Sequence, residues 1–74
     1  MMTVSEKVEL LHELSEAARA MARTYKEQGN EDRAKLYEHE ANTYLACYYV
    51  FTDDNMTNQM KEAADRVLYA GKGA

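Results

Sequence analysis

Residues 25–34 read YKEQGNEDRA and contain the signals for the end of one helix and the start of the next. Gly29 is the residue type that most readily takes the positive φ found just after a helix. Asn30 follows, and an asparagine side chain caps the next helix by accepting a hydrogen bond from one of its free amides. The two carboxylates that come next suit the positive end of that helix's dipole. This stretch therefore predicts a tight turn between two antiparallel helices.

Upstream of the turn, an apolar stripe predicts a first helix over residues 4–28. Thr3 precedes Glu6 by three positions, which is the spacing of a capping box. The stripe residues recur at steps of three and four, so we expect them to face the core: Val4, Val8, Leu11, Leu14, Ala18, Met21 and Tyr25.

Downstream of the turn, the same spacing predicts a second helix over residues 31–52. Its expected core stripe alternates small and large side chains in its first half, and consists of Ala34, Tyr37, Ala41, Tyr44, Tyr48 and Phe51.

A third, shorter helix is predicted over residues 55–70. It follows a polar cluster that offers Asp53, Asp54 or Asn55 as its cap. Residues 71–74 contain two glycines and are expected to form a frayed exit. The expected core positions of this helix are Met56, Met60, Ala63 or Ala64, and Val67, with Leu68 beside them.

The composition also favours an all-α fold. The 74 residues include no proline and three glycines, and strong helix formers dominate. A chain of this length has a small core and is expected to form one domain over residues 1–74. We predict an antiparallel helical hairpin plus a shorter third helix, which together make a small helical bundle.

Charge and cysteine content limit which classes of partner and which cellular compartment we expect. Thirteen acidic residues against nine basic ones give a net charge of −4, which argues against binding to a nucleic-acid backbone. A single cysteine cannot form an internal disulfide and favours a reducing compartment. The sequence contains neither an apolar signal core nor a long apolar run. We expect a cytoplasmic protein that makes no membrane contact.

Residues 44–51 read YLACYYVF and carry no charge. At 100° per residue they surround the second helix, whereas a hairpin partner and a short third helix cover only part of it. Because buried apolar area contributes about 25 cal/mol per Å², we expect a second copy of the chain, most simply in a dimer, to cover the rest. An alternative for the tyrosines is plain core packing with hydroxyls that reach water. The predicted interface residues are Tyr44, Leu45, Tyr48, Tyr49, Val50 and Phe51.

The residues that might carry chemistry are interpreted as structural or solvent-facing. Glu9 and His12 have the Glu-x-x-His spacing of di-iron helical bundles, but both fall on the outward face and the motif occurs once. His39 lies between two glutamates and is also expected to face solvent. Cys47 has no histidine beside it to activate its thiol, so we expect it to be buried and inert. We predict no catalytic residue, no metal and no cofactor.

Several residues around the turn have the spacing of a known helical motif. Tyr25, Gly29, Ala34 and Ala41 match its tyrosine, glycine and two alanines, while Ala18, Met21 and Ala22 lie at its first-helix packing positions. Over roughly residues 18–45 the hairpin therefore resembles a single tetratricopeptide repeat. Glu38 stands where that motif has an aromatic residue, and the closing proline is absent. The resemblance implies binding of proteins through helix packing rather than catalysis.

We interpret the chain as a small acidic protein–protein interaction module, an inhibitor or adaptor that self-associates and occupies a partner protein's surface. The alternative is a virus- or plasmid-encoded inhibitor that imitates nucleic acid and binds a host nucleic-acid-binding protein. Four acidic residues are expected to steer or select a basic partner: Glu38, Glu40, Asp53 and Asp54.

Overall fold

The computed structural model describes residues 1–73 and contains three α-helices: α1 (Val4–Glu27), α2 (Glu31–Thr52) and α3 (Asn58–Gly73). The protein is all-α, as predicted, and no strand occurs in the described residues. α1 and α2 pack along their lengths as a hairpin, and α3 packs mainly on α2. The result is a small helical bundle in which α2 lies between its two neighbours.

The turn after α1 forms as predicted. Gly29 has a φ of +78°. Its N–H donates to the carbonyl of Lys26 at 3.1 Å, and the N–H of Asn30 donates to the carbonyl of Tyr25 at 2.9 Å. These are the two bonds of a Schellman motif, which satisfies the last carbonyls of a helix. The Asn30 side chain in turn accepts from the N–H of Arg33 at 3.3 Å, so it caps α2.

The start of α1 is also fixed by local hydrogen bonds. The N–H of Thr3 donates to Oε1 of Glu6 at 3.0 Å, and the N–H of Glu6 donates to Oγ1 of Thr3 at 3.1 Å. The predicted capping box is therefore confirmed. The bond from the Thr3 amide holds the pKa of the Glu6 carboxyl below its usual value.

The face of α1 that is buried against the rest of the bundle differs in part from the prediction. Leu11 and Ala18 are buried as expected, but Met21 is 40% exposed and Ser15 is fully buried in the stripe. The Ser15 hydroxyl donates to the carbonyl of His12 at 2.8 Å, so its burial leaves no hydroxyl unpaired. Small side chains predominate on the buried face, because they let two helix backbones approach closely. The buried set is Leu11, Ser15, Ala18 and Ala22 in α1, with Ala34, Ala41, Tyr44 and Cys47 in α2.

α3 begins and ends three residues later than predicted. The N–H of Met60 donates to Oγ1 of Thr57 at 3.2 Å, so Thr57 caps the helix. The Asp53 carboxylate instead accepts from the N–H of Asn55 at 2.9 Å and shapes the preceding turn. The buried residues of α3 are Ala64 and Leu68. Met60 is 45% exposed, so the prediction that it belongs to the core is wrong.

Gly71 lies inside α3 rather than in a frayed exit. A Cβ at this position would lie 2.8 Å from Oη of Tyr44 and 3.2 Å from Cδ1 of Leu14. These distances are shorter than ordinary van der Waals contact, so glycine lets α3 approach both other helices without displacing the Tyr44 and Leu14 side chains. Gly71 is thus a close-packing residue. Ala74, the last residue of the predicted exit, lies outside the described residues.

At the opposite end of α3, an ion pair joins this helix to the hairpin. Nζ of Lys7 in α1 lies 2.7 Å from Oδ1 of Asp65 in α3, and both side chains are mostly screened from solvent. Oδ1 of Asp65 accepts no hydrogen bond from the described residues, so its contact with Lys7 is ionic rather than a well-directed hydrogen bond. The same ammonium group lies 5.2 Å from the ring centre of Phe51 in α2. Lys7 therefore contacts both other helices.

The elbow between α1 and α2 lies beyond the reach of α3. A helix of 16 residues is about 24 Å long, against about 36 Å and 33 Å for α1 and α2. At the elbow, the rings of Tyr25 and Tyr37 stack with centres 5.6 Å apart and an interplanar angle of 10°. The Arg33 guanidinium lies 5.8 Å from the ring centre of Tyr25. This aromatic pair packs the end of the hairpin without a third helix.

Candidate interaction surfaces

Large apolar side chains remain exposed on α2 and α3. In α2, Leu36 is 60% exposed and Tyr49 is 57% exposed. In α3, Met60 and Tyr69 also expose more than a third of their surface. Isolated exposed apolar residues are common in folded proteins, so the arrangement of these side chains matters more than their number. They belong to separate surfaces.

The predicted interface residues 44–51 divide among different environments. Tyr44 is buried in the core of the protomer. Leu45, Tyr48, Val50 and Phe51 are half-buried. Tyr49 is the large side chain of this segment that remains open to solvent. The segment therefore contributes residues to the core, to a groove and to the surface. Its exposed part is smaller than it would be on a helix that packs against nothing.

One surface of interest lies between α1 and α2, and we call it the α1/α2 face. An open hollow of about 450 Å³ there is lined by Val8, Glu9, His12 and Tyr48, together with Ser5. The rings of Tyr48 and Tyr49 meet edge to face with centres 5.4 Å apart. Such a pair is rigid and supplies a large contact area. This face thus combines aromatic rings with ionisable groups.

The same α1/α2 face becomes basic nearer the elbow. A hollow of about 270 Å³ is lined by Arg19, Arg23, Lys26 and Glu38. The Arg19 guanidinium lies 3.5 Å from the carboxylate of Glu16, and both side chains are largely exposed. Glu38 therefore lies among basic side chains of the same chain, which reduces its attraction for an external basic partner.

The second surface is a groove between α2 and α3. It consists of two hollows of about 420 and 220 Å³ that meet at Val67. We call it the α2/α3 groove and define it by Leu36, Thr43, Ala46 and Val50 of α2 and by Met60, Ala63, Val67 and Ala70 of α3.

The sequence contains a signal for this groove, and in α3 it coincides with predicted core positions: Met60, Ala63 and Val67. In α2 the positions 36, 39, 43, 46 and 50 follow steps of three and four, and in α3 the positions 60, 63, 67 and 70 do the same. Each helix therefore carries a second stripe beside the one that is buried. A pair of such stripes is typical of helices that pack against another helix. The uncharged segment 44–51 indicates only the carboxyl end of α2.

His39 and Glu40 line the half of the groove nearer the elbow. Oη of Tyr44 donates to Oε1 of Glu40 at 3.0 Å, so one oxygen of this carboxylate is already engaged within the protomer. Burial raises the pKa of the Tyr44 phenol, and the bond to Glu40 raises it further. Glu40 therefore satisfies a buried hydroxyl at the floor of the groove.

The four acidic residues expected to steer a partner do not form one patch. Glu38 faces the basic hollow, and Glu40 bonds Tyr44. Asp53 and Asp54 are exposed beyond the end of α2, and 13 helical positions separate Asp53 from Glu40, which corresponds to about 20 Å. The carboxylates thus act at different places on the molecule.

The residues considered for chemistry are separated in the fold. Glu9 and His12 line an open hollow, and His39 lies on the other side of α2. Within residues 1–73, no three His, Cys, Asp or Glu side chains come close enough together to hold a metal ion. Cys47 is buried, and burial raises the pKa of its thiol. Its thiol is therefore protonated at neutral pH and poorly nucleophilic.

No family model matches the chain, and neither a curated protein nor a solved structure is significantly similar to it. The likeness to a tetratricopeptide repeat therefore rests on the residues of the hairpin alone. Across the described residues, every helix is too short or too polar to cross a lipid bilayer.

Proposed function

We propose that this chain is a small acidic protein–protein interaction module that self-associates and also occupies the surface of a partner protein, as an inhibitor or adaptor. It acts by binding rather than by catalysis. The observation that supports this proposal best is the set of large apolar side chains left exposed on α2 and α3, among them Leu36, Tyr49 and Met60. Interface centres are enriched in aromatic residues and methionine.

The energetic argument rests on the small size of the protein. A domain of this length has only about 5 kcal/mol of net stability. Apolar area left in water forgoes about 25 cal/mol per Å², so covering a few hundred Å² adds stability of the same order. Association is therefore a direct way for this chain to stabilise its folded state.

Sedimentation velocity of the full chain over a range of concentrations tests self-association. We expect the sedimentation coefficient to rise from the monomer value to the dimer value as concentration increases. A coefficient that stays at the monomer value throughout would contradict the proposal.

Affinity capture tests the partner, with wild type and Tyr49→Glu as baits. Tyr49 is exposed, so its substitution leaves the core intact. We expect at least one captured protein to be lost with Tyr49→Glu and to bind the wild-type chain again when both are purified. Equal capture by both baits would show that partner binding does not depend on Tyr49 of the α1/α2 face.

The alternative, imitation of nucleic acid, predicts a different salt dependence. A contact that replaces phosphates with carboxylates weakens steeply with ionic strength, because both sides are highly charged. Apolar self-association of a chain with a net charge of −4 strengthens or stays constant, because salt screens repulsion between the copies. Partner binding measured at low and high salt distinguishes the two.

A further inference from the structure

We infer that the α2/α3 groove is the self-association surface, and that a second copy of the chain packs into it about a two-fold axis near Val67. This inference rests on the proposed self-association and assigns it to one face. It moves the contact away from the rings of Tyr48 and Tyr49, which lie on the α1/α2 face.

The surface area of the protomer is the first argument. A compact chain of 8.5 kDa exposes about 4,650 Å². This protomer exposes 5301 Å², an excess of about 650 Å². Its radius of gyration is 13.2 Å, against about 11 Å for a compact chain of this length. A stable dimer buries about 800 Å² per partner, which is of the same order as this excess.

The polarity of the groove favours a second copy over a transient partner. The half around Val50 and Met60 is lined by apolar side chains and the buried thiol of Cys47. In the other half, the ionisable side chains are His39 and Glu40, and the Glu40 carboxylate already accepts the Tyr44 hydroxyl. The interfaces of homodimers are more apolar than those of transient complexes and depleted of charge at their centres. On the α1/α2 face, by contrast, the hollow nearer the elbow is lined mainly by charged side chains, and Glu9 and His12 line the other hollow.

The shape of the groove is self-complementary. Each half combines one exposed large side chain with small neighbours: Leu36 with Thr43 and Ala70 at the elbow end, and Met60 with Ala46 and Ala63 at the other. Along the helices, Met60 lies about 10 Å and Leu36 about 13 Å from the level of Val67.

A two-fold axis near Val67 exchanges the halves. Leu36 of one copy then lies beside Met60 of the other, while Ala46, Ala63 and Ala70 nearer the axis let the helices of the two copies approach closely. The same helices of both copies meet, so the contact is isologous. The two protomers together form a closed bundle in which α3 is covered on both sides.

Sedimentation equilibrium with a matched pair of variants tests the assignment. Ala63→Glu and Ala17→Glu each add one negative charge at an exposed alanine in a helix, but only Ala63 lies in the groove. We expect Ala17→Glu to dimerise like wild type and Ala63→Glu to raise the dimer dissociation constant at least about 30-fold. Circular dichroism of both variants checks that the protomer remains helical.

Cysteine cross-linking gives an independent readout. We expect Val67→Cys to form a disulfide with the second copy under mild oxidation, because the two positions meet near the axis. Tyr49→Cys and the wild type, which contains only the buried Cys47, serve as controls that stay uncross-linked. Mass spectrometry identifies the linkage between the two introduced cysteines.

The possible failures are distinguishable. If Ala63→Glu dimerises as tightly as wild type while Tyr49→Glu is monomeric, the α1/α2 face is the interface; the inference is then wrong and the proposed self-association stands. If the wild-type chain is itself monomeric at every concentration, both are wrong. Cross-linking of Tyr49→Cys in preference to Val67→Cys also overturns the inference.

Discussion

The contacts that α2 makes with α1 and with α3 differ in kind. Against α1, α2 packs through small buried residues along most of its length, and the start of α1 and the turn are fixed by caps. Against α3, two buried residues of α3 and one glycine contact hold the helices together at separate points, and the one ion pair of α3 joins it to α1 instead. The first pairing is complete within one chain. The second leaves a groove, so one side of α2 is packed along most of the helix and the other side is only partly covered.

The largest expected effect comes from truncating the two leucines that are fully buried, one in each pairing. We expect Leu11→Ala and Leu68→Ala each to lower the free energy of unfolding by about 3 kcal/mol. Hydrogen exchange should separate them. Leu68→Ala is expected to accelerate exchange mainly in α3, whereas Leu11→Ala accelerates it in all three helices. Uniform acceleration in both variants would mean that the hairpin has no independent stability.

Gly71→Ala tests the closest point between α3 and the hairpin. The added methyl group displaces the Tyr44 ring and strains its bond to Glu40, so we expect a loss of about 1 to 2 kcal/mol, measured by urea unfolding. Gly73→Ala is the matched control, because nothing lies within 4 Å of a Cβ there. The control should be neutral or slightly stabilising, since alanine favours helix. If Gly71→Ala also stabilises, the close approach is not tight.

Lys7→Met tests the ion pair at the other end of α3. It removes the partner of a mostly screened Asp65 carboxylate, so we expect a loss of about 1 kcal/mol in the free energy of unfolding. Arg19→Met breaks the exposed pair with Glu16 and should cost less than about 0.5 kcal/mol. A double-mutant cycle of Lys7→Met with Asp65→Asn isolates the coupling. Additive effects would show that the contact does not stabilise α3.

The smallest effect expected is a pH dependence at the core of α2. Burial raises the pKa of both the Cys47 thiol and the Tyr44 phenol above their usual values of 9.0 and 10.0. At lower pH both groups are protonated in the folded and unfolded states. As pH rises past these values the unfolded chain loses its protons first, so stability falls.

Urea unfolding at pH 8 and at alkaline pH checks this sign. We expect the free energy of unfolding to decrease above about pH 9, and to decrease less in the double variant Cys47→Ala, Tyr44→Phe. Contributions that the two proteins share cancel in the comparison. An identical decrease in the variant would mean that Cys47 and Tyr44 do not cause the alkaline loss.

Features held by neighbours in sequence were predictable. The Thr3 and Glu6 capping box, the turn at Gly29 and the Asn30 cap each depend on hydrogen bonds within five positions, so residue type and spacing suffice to identify them. The bounds of α1 and α2 follow from these signals to within one residue. The start of α3 was missed because the polar cluster offers several caps, and the choice of Thr57 depends on where α3 packs.

Of the candidate sites, the sequence indicated the tyrosines of α2 but not the groove. Periodicity identifies an apolar face, yet it does not say how far that face rotates toward each neighbour. In α1 a small rotation buries Ser15 and exposes Met21. In α3 it buries Ala64 and turns Met60 toward the groove. Such rotations are set by contacts between helices, which no single helix encodes.

The amino-acid sequence by itself determined that this protein is helical, where its hairpin turns and that its third helix is the shortest, because propensity, caps and spacing act over a few residues. Only the tertiary structure decided that Gly71 is a packing residue, that Lys7 contacts both other helices and that α2 and α3 enclose an apolar groove. Each of these depends on the distance between atoms far apart in the chain, and the packing of all three helices sets that distance.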